Sequence, residues 1–126
     1  MEEELHDLDK MVAMSVIEAE MEGMQLIIKK ATGHEKEYFT DKLGNMEFQK
    51  NTIESNVQIG IITEAKYLSN VKNYLKDQEA LYAQITKKMG AKNKHCLRVL
   101  KRIELLKIEI DGMENPQEEE VEVQPQ

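Results

Sequence analysis

A chain of 126 residues has the size of one domain, and with 40% apolar residues, 5% aromatics and no tryptophan it must build an aliphatic core. A formal net charge of −7 disfavours nonspecific binding of the whole molecule to nucleic acid or to anionic membrane. The single cysteine, Cys96, rules out an internal disulfide, and no apolar run approaches the ~20 residues that cross a bilayer.

With an acidic start, MEEELHD, where a secretory peptide is basic, these features give the expectation of a cytoplasmic protein. Both prolines, Pro116 and Pro125, lie near the C-terminus, so nothing before them forbids long helices. Gly33, Gly60, Gly90 and Gly112 divide the chain into four pieces of helical length.

The first piece is expected from Leu5 to Ala31, with Leu5, Leu8, Val12, Val16, Ala19, Met24, Ile27 and Ile28 at helical spacing. Lys29, Lys30 and then Gly33 form its stop, since cations suit the negative end of a helix and glycine suits the turn beyond it. Gly23 inside it marks a close approach or a slight bend. The second piece runs from Glu35 to Val57. Phe39, Leu43, Met46, Lys50, Ile53 and Val57 step by four and three, a heptad seam with one lysine that snorkels, sets register or pairs with an acid. Gly44-Asn45 is its weak point.

GIITEAKYLSNVKNYL, Gly60 to Leu75, reads as a corner between helices. Thr63 is a good N-cap, Glu64 suits the positive helix end, and Ile61 and Ile62 are expected to pack across the turn. The third helix carries Tyr67, Leu68, Val71, Leu75, Leu81, Tyr82, Ile85 and Met89. The fourth, Lys92 to Ile110, turns Cys96, Val99, Leu100, Ile103, Leu106 and Ile110 inward, and Asp111-Gly112 stops it. The expected fold is all-α: four antiparallel helices, as a bundle or as paired hairpins, in a domain of residues 1–112. Residues 113–126, acidic and without apolar periodicity, are expected to be a disordered tail.

No catalytic constellation stands out. His6, His34 and His95 fall on three segments without metal-ligand spacing. Cys96 reads as a small buried apolar residue, and neither a phosphate loop nor a calcium loop is present. No enzyme activity, metal or cofactor is expected. One feature rises above the background: KKMGAKNKHCLRVLKR, residues 87–102, holds Lys87, Lys88, Lys92, Lys94, Arg98, Lys101 and Arg102 and no acid. Lys92 and Lys94 sit at the positive start of a helix, at a small electrostatic cost that hints at a use. Such a field suits a protein partner with an acidic surface, anionic lipid head groups, or the chain's own Glu118–Glu122. RNA would want stacking aromatics, and residues 87–102 contain none.

The order of MSVIEAEMEGMQLIIKK, a second helix, IGIITEAKYLSNVKNYLKDQEALYAQITKKMG and a helix ending RIELLKIEI resembles the C-terminal helical region of the coiled-coil and C2 domain-containing proteins, the relatives of lethal giant discs. Glu64 and Tyr67 match the start of that family's helix after the glycine corner, and Glu104 and Glu109 its final charged helix, with wider spacing. The resemblance covers Met11 to Met113; the family's C2 domain and its repeats that bind ESCRT-III filament subunits have no counterpart in this sequence. It implies an accessory helical domain associated with endosomal sorting, and it transfers no functional residue. The residues favour a noncatalytic adaptor that binds protein through the basic turn. Two alternatives stand: a peripheral membrane adaptor using the same turn, and a coiled-coil piece that pairs with itself along Phe39, Met46, Ile53 and Val57.

Overall fold

A computed structural model describes Leu8 and residues 11–115 of the chain. The fold is all-α, as expected. Among the described residues four long helices follow in order: α1 (Met14–Lys30), α2 (Gly33–Gln58), α3 (Glu64–Met89) and α4 (Lys94–Glu114). No strand occurs among the described residues. Gly33, Gly60 and Gly90 each take a positive φ at one of the three connections. The chain divides into two compact units, Met1–Asn70 and Val71–Gln126, and the division falls within α3.

In the first unit α1 packs against α2. Only Ala31 and Thr32 separate them, so α2 must return antiparallel. Val16, Ile17 and Met24 of α1 and Phe39 and Met46 of α2 are buried, while Leu43, Ile53 and Val57 are half-buried along the same seam. Lys50, the lysine in that seam, puts its Nζ 3.4 Å from Glu18 of α1. The helix passes through Gly44 and Asn45 without a break.

Helix α1 starts at Met14, not near Leu5. The stretch before it buries Leu8, Met11 and Ala13 without helical structure at residues 11–13. Its backbone finds side-chain partners instead. The Gln49 amide accepts from Met11 N–H at 2.9 Å and donates to the Leu8 carbonyl at 2.8 Å. The Tyr67 hydroxyl accepts from Met14 N–H at 2.8 Å. Buried backbone groups must be paired, and tertiary partners here replace the helical ones that the apolar spacing suggested.

Gly60 does form a corner. With its φ of 83° the chain leaves α2, and Ile62 N–H reaches back to the Asn56 carbonyl at 3.0 Å. Thr63 caps α3 through its Oγ1, which accepts from Lys66 N–H at 3.1 Å. Ile62 is half-buried, but Ile61 is 68% exposed, so only one of the two isoleucines packs.

In the second unit α3 and α4 run antiparallel, because contacts pair rising with falling numbers: Lys72 with Glu114, Gln78 with Arg102, Thr86 with Cys96. Ile85, Cys96, Val99 and Ile103 form a core cluster flanked by Leu75, Leu81 and Tyr82. Val71, Tyr74, Leu106 and Ile110 are buried as well. Met89, expected inward, is 60% exposed at the end of α3. Helix α4 starts two residues later than expected and continues through Gly112 to Glu114. A glycine inside a helix costs only about 1 kcal/mol, which the packed turns before it offset. Residues 116–126, most of the expected tail, lie outside the described residues.

Candidate functional site

The residues that could carry chemistry do not converge. His34 is fully exposed, with Nδ1 3.8 Å from Glu37. His95 occupies the first turn of α4, its N–H donating to Asn93 Oδ1 at 2.8 Å. His6 lies outside the described residues. Cys96 is wholly buried, with Sγ 3.6 Å from Thr86 Oγ1. Among the described residues no three His, Cys, Asp or Glu side chains gather as metal ligands do, and no helix is long and apolar enough to cross a membrane.

The basic stretch is built around the turn between α3 and α4. Lys87 and Lys88 close the last turn of α3, where the helix end is negative. Gly90, at φ 87°, then redirects the chain while its N–H still bonds to the Thr86 carbonyl at 2.9 Å. A residue with a Cβ is strained at this φ, so glycine is what lets α3 stop at Met89, one residue after the two lysines. Asn93 caps α4. The cap satisfies an orphan N–H at a helix start that holds no acid, and Lys94 follows it. Lys87, Lys88, Lys92, Lys94 and Lys101 are all exposed.

Two of the seven expected patch residues differ. Arg98 is half-buried, and Arg102 is only 1% exposed. The Arg102 guanidinium donates to Gln78 Oε1 at 3.1 Å, and Gln78 is itself buried. Arg102 therefore belongs to the interior of the hairpin and not to the charged surface. Its position explains this: Val99, Arg102, Ile103, Leu106 and Ile110 share one helical face. Charge alone had assigned Arg102 to the surface.

The basic stretch also contains two apolar residues that sequence reasoning did not assign to it. Met89 is 60% exposed and Leu97 54% exposed, one on each side of the Gly90 turn. The surface is thus mixed, with apolar side chains between lysines. The first unit carries a second feature, an open apolar groove of about 410 Å³ lined by Met11, Val12, Phe48, Ile53, Ile62 and Tyr67. No sequence signal announced it, because its rim depends on the non-helical course of Met11 and Val12. Phe39 and Met46, half of the seam expected to pair two copies, are buried within their own unit.

The chain matches no protein-family model, no curated protein and no solved structure.

Proposed function

We propose that this chain is a noncatalytic helical interaction module whose basic turn docks a partner protein with an acidic surface. The observation that carries the reading is the cluster of five exposed lysines, Lys87, Lys88, Lys92, Lys94 and Lys101, in a 24-residue stretch, Ala80 to Ile103, that contains no acid. Magnitudes shape the partner. An exposed ion pair contributes about 0.2–1 kcal/mol, so five of them fall well short of the roughly 8 kcal/mol of a micromolar complex. Apolar contacts must supply the rest, and Met89 and Leu97 offer them. The partner segment therefore carries acids interleaved with apolar residues. The resemblance to the lethal giant discs relatives adds subunits of the endosomal sorting machinery as the class to try first.

Lys88→Glu, Lys92→Glu and Lys94→Glu combined test this. These side chains are exposed, so circular dichroism of the variant should match the wild type. Wild-type protein is expected to capture purified sorting-machinery subunits with acidic helices, and the variant to lose them. Equal capture by both sinks the assignment of the turn. The alternation of lysine and exposed apolar side chains also supports a second reading, an anionic membrane surface. Sedimentation with phosphatidylserine vesicles, lost in the same variant while no protein is captured, would favour it.

A further inference from the structure

We infer that the basic turn of one copy binds residues 118–123 of a second copy, so that two chains associate tip to tail. The inference rests on reading the turn as a surface for acidic segments, and it names one such segment. The hairpin of the second unit is electrically divided along its length. Ala80 to Ile103 holds seven cations and no acid. Glu104 to Gln126 holds eight acids and one lysine, Lys107. The antiparallel pairing puts Lys92 and Lys94 at the Gly90 end of α4 and Glu109, Asp111 and Glu114 toward its other end.

The sequence of the acidic end has the composition that the turn requires. Residues 118–123 read EEEVEV, four carboxylates with Val121 and Val123 among them. Those valines would meet Met89 and Leu97 while the glutamates meet Lys87, Lys88, Lys92 and Lys94. Geometry favours a second chain over the same one. Helix α4 has 21 residues, so its two ends are about 30 Å apart. From Glu114 to Glu120 is six residues, and even fully extended they span at most ~22 Å. Glu118, Glu119 and Glu120 fall short of their own turn, and only Glu122 and Val123, at about 29–32 Å fully extended, come level with it. A second copy, laid antiparallel, brings its tail to that turn and receives the first copy's tail at its own. Both contacts close one two-fold dimer, and the second forms at high effective concentration once the first exists.

Analytical ultracentrifugation of the full chain tests this, from about 1 µM to about 100 µM, a range suited to two weak linked contacts. The expected result is a dimer that dissociates as salt screens the charges, and a monomer once residues 116–126 are deleted. A synthetic peptide of residues 116–126 should bind the shortened chain. Lys88→Glu, Lys92→Glu and Lys94→Glu should weaken the peptide at least about tenfold, and a peptide with Glu118→Lys, Glu119→Lys and Glu120→Lys should bind the reversed turn instead. A monomer at every concentration, a dimer that survives the deletion, or a peptide indifferent to the reversal would overturn the inference. If the peptide fails while an acidic partner protein still binds the lysines, only the tip-to-tail contact falls. If neither binds, the turn is no acid-binding surface and both ideas fall.

Discussion

The two units solve the same problem with different materials. In the first, α2 buries only Phe39 and Met46 along 26 residues, and the core is completed by Leu8 and by Met11 and Ala13 of the non-helical residues 11–13, fastened by Gln49 and Tyr67. In the second, α4 buries six residues in 21 and needs no such stretch. It places a polar pair, Gln78 and Arg102, inside its seam. A weakly amphipathic helix must borrow apolar surface from elsewhere in the chain. A strongly amphipathic one can afford a buried charge.

That contrast can be broken most sharply at Arg102. Replacing it with alanine opens a cavity and removes the donor from Gln78, and the expected loss is about 3 kcal/mol or more. Urea unfolding would show it, and adding Gln78→Leu should recover part of the loss, because two matched apolar residues tolerate burial better than one orphaned amide. If the double variant is as unstable as the sum of the singles, the polar pair does not act as a unit.

The first unit is probed at Gln49. Gln49→Leu removes two hydrogen bonds to buried backbone and should cost about 1–3 kcal/mol. Faster hydrogen exchange at the Met11 amide, with little change at Val99, would place the effect in the borrowed stretch. An unchanged Met11 amide would contradict the fastening role. Gly90→Ala is a smaller perturbation. Nothing crowds the new methyl group, so the left-handed backbone alone should cost about 1–2 kcal/mol. A thermal melt of this variant that matched the wild type would mean the turn relaxes freely. Smallest of all is Lys50→Ala, since the partner Glu18 is largely exposed. A change above about 1 kcal/mol would show that the pair sets the register of α1 on α2 and does more than decorate its edge.

The sequence was most legible where periodicity and punctuation agreed. Thr63 as a cap, Gly60 and Gly90 as corners, and the Phe39–Met46 seam all follow from local rules, and each stands in the structure. Legibility failed where a distant side chain supplied what a helix would have supplied. Leu8 and Val12 have helical spacing, yet Gln49, some forty residues away, takes the backbone groups of Leu8 and Met11. It failed again where residue type outweighed position. Arg102 was counted with the surface cations because it is charged, although it shares a face with Val99 and Leu106. Conversely, Met89 was counted inward because it is apolar, although it is the last residue of α3. For the turn itself, the lysines were visible in the sequence, while the exposure of Met89 and Leu97 between them required the fold.

The enclosed thiol of Cys96 has a practical consequence. It is the sole cysteine of the chain and lies at zero exposure in the core of the α3–α4 hairpin. A thiol reagent can reach it only when that hairpin opens. Its labelling rate is therefore a clock for openings of the second unit, built in at a single atom. Run on the wild-type chain with and without the 116–126 peptide, that clock would slow if a ligand seated at the Gly90 turn holds the two helices shut.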